Sequence, residues 1–473
     1  ILLKDKAAEL FGPFQPGVAC PAGAENIIPG VCRCVQDHWK VDDFVMCKID
    51  LTNAFNMVSR QALLEECATH FPELFPWVSW CYGQHPTLWH PMGVLSSELG
   101  VQQGDPLGPL LFSLVLHKLI RTIIEDTECS QLLLNLWYLD DGVLSGTKSV
   151  ICRAVTLIQR LGPALGLYIN PAKCELFSRT VLSDFPQEMK VSQEPNFEVL
   201  GAPIGDPIFC AKFLAQRRAK AAKLLSHLVT VGSIDPQVAL LLLRQCAGYC
   251  KLVHLARSTP PSLISDGLAL FDADVRRCFS ECTGIDTADA EWLQVQLSLG
   301  RGDLGLRSLA LHSPAAYLAS LSKVGSLIPS DEYALESFNI FNSIVPPVHA
   351  ISGDLLLHSS CSQKDLSARL ENHQFDQLLF QSSPANRARL LSVSSRHAAA
   401  WLSVIPSVGL NLHLEPDEFQ IALKWWLGMD TSLGSCCPYC PEHQLDHLGH
   451  HAVTCKGGGD VVLRHNSLRD AFS

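Results

Sequence analysis

At 473 residues, with 47% hydrophobic and 18% charged side chains, the chain has the balance of a folded protein of two or three domains, which excludes a disordered or coiled-coil class. A net charge of -11 excludes binding polyanions over the whole surface, so any nucleic-acid contact has to come from a local basic patch. The 19 cysteines, an odd number with no export signal at the start, read as reduced thiols and suit the nucleus or cytoplasm. The longest apolar runs, Leu107 to Leu116 and Val238 to Leu243, fall short of the ~18 residues of a bilayer span, so no membrane segment is expected. The first residue is Ile1 rather than Met, which reads as a piece of a longer protein.

In chain order, residues 1–205 alternate short β-rich runs, amphipathic helical stretches and Gly/Pro turns, the pattern of an α+β domain. The run Phe44 to Leu51 reads as a strand ending at Asp50, followed by helical spacing from Asn53 to Phe71. In GVQQGDPLGP, Asp105 reads as a helix N-cap with Pro106 at the first helical position, and Gly104 allows the backbone to approach a ligand. The segment LLLNLWYLDDGVLSG reads as two strands joined by a tight turn, with Asp140, Asp141 and Gly142 supplying the turn chemistry. Lys173 lies in a turn after Asn170 and Pro171, and FEVLGAPIG reads as a hairpin with glycine at its bend.

From residue 206 the spacing becomes helical. Between Asp206 and Pro260 eight basic residues (Lys212, Arg217, Arg218, Lys220, Lys223, Arg244, Lys251, Arg257) face two acidic ones, which supplies a basic surface that a solvated helix would present equally well. Residues 331–430 carry more helical pattern and no legible chemistry, and 431–460 crowd cysteine and histidine together. The expected divisions are therefore 1–205, 206–330, 331–430, 431–460 and 461–473.

An Asp-Asp-Gly turn is usually a solvated hairpin, and an aspartate at the end of a strand is equally ordinary. If the two strand ends are neighbours in one sheet, Asp50, Asp140 and Asp141 converge and can hold two Mg2+ ions roughly 3.5 to 4 Å apart, the arrangement for nucleotidyl transfer. About 90 residues separate the two segments, and spacing alone does not bring them together.

The order of motifs supplies the link. KIDLTNAF, GVQQGDPLGPLLFSLVL, YLDD, GLYINPAKCELF and FEVLGAPIG resemble, in this order, the five palm motifs of reverse transcriptases of non-LTR retrotransposons. The resemblance covers about residues 10 to 325. It implies a right-hand fold with an antiparallel sheet in fingers and palm over 1–205, a helical thumb over 206–330 and a helical linker over 331–430. Asp50, Asp140 and Asp141 become the Mg2+ ligands, and Phe55 the bulky side chain that excludes a ribose 2′-hydroxyl. Gln103 and Gly104 would touch the template base and the incoming nucleotide, Lys173 would act as general acid at the leaving pyrophosphate, and FEVLGAPIG would be the primer grip. The implied partners are an RNA template, a DNA primer or nicked target DNA, and dNTPs. The family commonly has Arg where this chain has Gln102, and its triphosphate-gripping basic residues lie upstream of Gly17 to Glu25.

Near the end, Cys437 and Cys440 form a CxxC pair, and His450 with Cys455 completes a CCHC set suited to a structural, tetrahedral Zn2+. Cys436, His443, His447 and His451 compete as donors. The placement resembles the subgroup of these elements in which a CCHC zinc knuckle precedes a restriction-like endonuclease, so that RHNSLRD begins a nuclease whose acidic motif is absent. The competing readings are an inactive or domesticated RNA- or DNA-binding scaffold and an RNA-dependent RNA polymerase, the latter disfavoured by Phe55 and by YLDD in place of Gly-Asp-Asp.

Overall fold

The structure is a computed structural model, and it describes residues 2–322, 332–348, 350–351, 362–431 and 436–471. The chain divides into two units. The first contains residues 1–210 with 320–335 and 356–360, and the second contains 211–319, 336–355 and 361–473.

The first unit is α+β. Its strands are β1 (Phe44–Ile49), β2 (Thr87–His90), β3 (Gly93–Ser96), β4 (Leu134–Tyr138), β5 (Asp141–Thr147), β6 (Glu175–Phe177), β7 (Lys190–Ser192), β8 (Phe197–Val199) and β9 (Ala202–Ile204). Five of them form one sheet in the order β4-β5-β1-β6-β7. Its pairs are antiparallel except the last, because β7 runs parallel to β6; the expected all-antiparallel sheet therefore ends in one parallel edge.

Because strand side chains alternate in direction, the sheet serves two cores. Val45, Cys47, Ile49 and Leu144 face Leu111, Phe112 and Leu116 of helix α6 (Gly108–Glu125) and Ile151 and Ile158 of α7 (Lys148–Leu161). Phe44, Met46 and Val143 face the other way, onto Ile27, Ile28 and Val31 of α2 (Gly23–His38) and onto the β8–β9 hairpin. Each fully buried Leu, Ile or Phe contributes about 1.5 to 3 kcal/mol, so these two layers hold the sheet while leaving strand ends free to carry polar groups.

The helical spacing after Asp50 is interrupted. Helix α3 (Ala54–Met57) stops, Ser59 caps a new helix α4 (Arg60–His70) by accepting from the Ala62 N–H, and Asn53 sits at φ 43° before the first. The start of α6 also differs from the sequence reading. Asp105 closes an Asx turn by accepting from the Leu107 N–H at 2.9 Å, and the helix proper begins only at Gly108, with Pro109 in its first turn. The hairpin of β2 and β3, exposed along its whole length, was not legible as strands.

The second unit is helical. Its helices include Pro261–Thr283, Asp289–Gln296, Gln363–Gln381 and Pro416–Leu427, and the expected 206–330 and 331–430 regions fall largely together in it. The expected boundary at 330/331 lies outside the described residues. Pro236–Ser258 has the length and apolarity of a bilayer span, contrary to the reading from its shorter runs. A π turn at Leu243–Ala247 and a 3-10 turn at Tyr249–Lys251 break it, and it packs on Pro261–Thr283 and Pro416–Leu427 as a core element of this unit. Four of the eight basic residues are engaged internally: Arg217 over the Phe213 ring, Arg218 with Asp274, Arg244 with the Leu402 carbonyl and Arg257 with Gln363. Lys212, Lys220 and Lys223 are exposed and lie within about 80° of one another around the helix at ~3.6 residues per turn.

Candidate active site

The register of the sheet brings the carboxylates together. Ile49 pairs with Gly142, so Asp50, one residue past the end of β1, comes opposite Asp141 at the start of β5. On the other side of β5, Tyr138 pairs with Asp141, which leaves Leu139 and Asp140 as a two-residue turn. The left-handed residue of this turn is Leu139, at φ 56°, and not the glycine. A leucine there costs roughly 1 to 2 kcal/mol, and the neighbouring backbone holds it: a Cβ on Gly17 would sit 2.8 Å from the Leu139 nitrogen. Gly142 instead lies under the buried Trp137 ring, where a Cβ would come within 2.5 Å of a ring carbon.

Asp50 is fixed from the opposite side. Its carbonyl accepts from the Asn170 N–H at 2.9 Å, its own N–H donates to Cys174 Sγ at 3.3 Å, and Leu51 forms a bridge with Ile169. The turn containing Lys173 is therefore attached to the Asp50 backbone, and Lys173 is exposed on it.

The electrostatics follow from this crowding. Burial raises the Asp140 carboxyl above its ordinary range, its own backbone N–H pulls it back, and the charge of Asp50 raises it again. Burial also raises Asp141, followed by the charges of Asp140 and Asp50, while Lys48 pulls it down. Asp50 Oδ1 is buried with no hydrogen-bond partner among the described residues. An unpartnered, buried carboxylate oxygen beside two carboxylates that resist ionisation is a donor set that fits hard divalent cations.

Around the carboxylates, the structure gathers the other expected residues unevenly. The Phe55 ring is half-buried and stacks on Phe112 at 4.3 Å, and its carbonyl accepts from the Val101 N–H, which places it beside GVQQGDP. Gln103 and Gly104 are exposed; Gly104 sits at φ 89° with open space where a side chain would be. The Gln102 amide reaches back to the Cys81 carbonyl at 3.4 Å. The β8–β9 hairpin turns through Leu200 and Gly201, both at positive φ, and with Asp141 and Lys48 it lines a cleft of about 240 Å³.

Two positioning groups were missed from the sequence. Arg60 is buried, and its guanidinium donates to the carbonyls of Ser97 and Gly100 and to Ser97 Oγ, holding the loop that enters GVQQGDP. Tyr82 donates to Asp105 and accepts from the Gln102 N–H, and burial, then that carboxylate, raises its hydroxyl well above the usual range. Their partners are mostly backbone atoms 20 to 40 residues away, for which a sequence carries no signal. Arg60→Met is expected to cost about 3 kcal/mol, read as a lower urea midpoint; an unchanged midpoint would show the Ser97–Gly100 segment to be held without it.

At the other end of the chain, the structure selects a different histidine from the one expected. Cys437, Cys440, His451 and Cys455 offer ligand atoms that all lie within 4.8 Å of one another. His451 Nε2 is 3.1 Å from Cys440 Sγ, whereas His450 is exposed. The reason is helical: residues 450–454 form a turn, so His451 and Cys455, four apart, share a face. Asp446 accepts from both His450 and His451 N–H groups and sets that turn. Burial pushes the Cys437 thiol up, but the Tyr439 and Cys440 N–H groups and His451 pull it down to about 6, favouring the thiolate that a soft cation needs.

No curated protein matches the chain. Among solved structures, telomerase from Candida albicans in complex with a TWJ fragment of telomeric RNA is similar at 11% identity and TM-score 0.41, covering 75% of this chain and 55% of that one. Apo telomerase from Candida tropicalis is similar at 10% identity and TM-score 0.37, covering 71% and 59%. The chain thus spans little more than half the length of these proteins, and the likeness is too distant to bear on activity. The family model for reverse transcriptase (RNA-dependent DNA polymerase) matches residues 2–204. The matched segment contains Asp50, Asp140, Asp141, Phe55, Gln103, Gly104 and Lys173.

Proposed function

We propose that this chain is the RNA-directed DNA polymerase of a non-LTR retrotransposon, adding dNTPs to the 3′-hydroxyl of a DNA primer or nicked target DNA on an RNA template. The observation that carries it is the meeting of Asp50, Asp140 and Asp141 at two facing strand ends, within the segment that the reverse transcriptase family model matches. When bound there, a pair of Mg2+ ions lowers the pKa of the attacking hydroxyl and neutralises charge on the leaving pyrophosphate. The residues of the chain do the rest. Asp50 and Asp141, opposite each other on adjacent strands, supply two of the carboxylates, and Asp140 adds the third from the turn. Phe55, braced by Phe112, closes the sugar pocket, while Gln103 and Gly104 leave open backbone for the template base and the nucleotide. Lys173, on the turn bonded to Asp50, donates a proton to the departing pyrophosphate.

The remaining parts follow the same reading. The helices from Pro207 onward act as a thumb, with Lys212, Lys220 and Lys223 as its phosphate contacts, followed by a helical linker. Cys437, Cys440, His451 and Cys455 hold a structural Zn2+ in a knuckle. Such an enzyme works in the nucleus.

Primer extension on an RNA template with Mg2+ tests this, comparing dNTPs with rNTPs. The chain is expected to use dNTPs, and Phe55→Val is expected to narrow the preference over rNTPs by roughly 10²-fold. Duplex binding without extension would favour the scaffold, and an initial preference for rNTPs would favour an RNA polymerase.

A further inference from the structure

The face of the sheet that presents Asp50 and Asp141 also presents Lys48 and Glu175. Residues two apart on a strand share a face, so Lys48 stands beside Asp50 at about 7 Å along β1, given a rise of ~3.4 Å per residue. Glu175 lies directly across from it on β6, and Lys48 Nζ is 2.9 Å from Glu175 Oε2. Their side chains are 27% and 31% exposed, so the pair opens to solvent and is not sealed in either core. A half-exposed ion pair of this kind contributes little to stability, which leaves its position to be explained by something else.

That position is the wall of the cleft between Asp141 and the turn of β8 and β9. Among the described residues lining it, Lys48 is the one cation, and Asp141 and Glu198 are the acids. A nucleic-acid strand delivering its 3′ end to Asp50 and Asp141 carries one negative charge per nucleotide. Along this wall the two acids repel it, the apolar residues offer it no counter-charge, and Lys48 is the one lining group that attracts it. A lysine ammonium has three donors on a flexible stem, so it can keep its bond to Glu175 and still offer a proton to a phosphate oxygen.

We propose that Lys48, oriented by Glu175, binds a backbone phosphate of the primer strand close behind its 3′ end. This rests on the polymerase reading of the same site. Lys48 is then the contact that sets how far the primer advances, and Glu175 acts through it as a positioning residue.

The test measures binding of an RNA-template/DNA-primer duplex to the whole chain by fluorescence anisotropy. Primers carry a neutral methylphosphonate at each of the last three linkages in turn. The wild type is expected to lose roughly tenfold in affinity at one of these positions, the scale of a charge-assisted contact. Lys48→Met is expected to bind the ordinary primer about tenfold more weakly and to be indifferent to that same substitution. Lys48→Arg, which keeps the charge, restores both affinity and position sensitivity, and separates loss of a contact from loss of fold. A Lys48→Met protein that retains the position sensitivity of the wild type overturns the proposal, as does a wild type indifferent at all three linkages. Failure of the wild type to bind any duplex would instead remove the polymerase reading and the proposal with it, a distinguishable result.

Discussion

Asp140→Asn combined with Asp141→Asn is expected to reduce dNTP incorporation on the order of 10³-fold or more, and at the same time to raise the thermal midpoint of the metal-free protein. Both carboxyls are raised in the folded state, first by burial and then by the charges of their acidic neighbours. The folded chain therefore holds these protons more tightly than the unfolded chain, in which an aspartate titrates near ~3.9. The resulting stability is complete below that value and is lost as the pH rises through the raised values. At neutral pH the ionised cluster works against folding unless cations neutralise it. Melting in chelator and then in a Mg2+ titration checks both halves. The wild type should gain stability with Mg2+ and the double variant should not. A variant that melts lower than wild type in chelator would show the carboxylates to be structural.

Removal of the metal from the cysteine-histidine cluster is expected to unfold that segment outright. Between Cys436 and Cys455 only Cys437 and Gly449 are buried, so no apolar core remains to hold it. Zinc binding by a site of this type is worth roughly 10 to 16 kcal/mol near pH 7. One zinc per chain by elemental analysis is expected for the wild type and for His450→Ala. His451→Ala and Cys440→Ser should lose the ion and expose 436–455 to limited proteolysis. Retention of zinc by His451→Ala with loss in His450→Ala would return the assignment to the neighbouring histidine.

The elements that carry the carboxylates were legible because each is locally determined. A β-rich run ends at Asp50, and two short strands, of which only the first alternates, flank a two-residue turn. What brings them together is pairing across 90 residues, which periodicity does not encode; the motif order supplied it by resemblance, and the register of β1 against β5 is its physical form. Where local chemistry competes with itself, the reading slipped. Asp105 has the right side chain for a cap but uses it in an Asx turn before Gly108. His450 has a spacing common in knuckles, yet the helical phase set by Gly449 and Asp446 presents His451. The parallel edge of β7 and the exposed β2–β3 hairpin are short segments with no strong period, and nothing in three or four residues distinguishes them from loop.

The seat of Trp137 over Gly142 separates two kinds of pressure on neighbouring positions. A descendant lineage released from copying nucleic acid could exchange Asp140 or Asp141 without meeting the Trp137 ring, whereas any side chain at 142 would drive into it. Glycine at that point therefore marks survival of the architecture, while the acids beside it mark survival of the chemistry. A related chain retaining the first and lacking the second would be a folded relic that no longer polymerises.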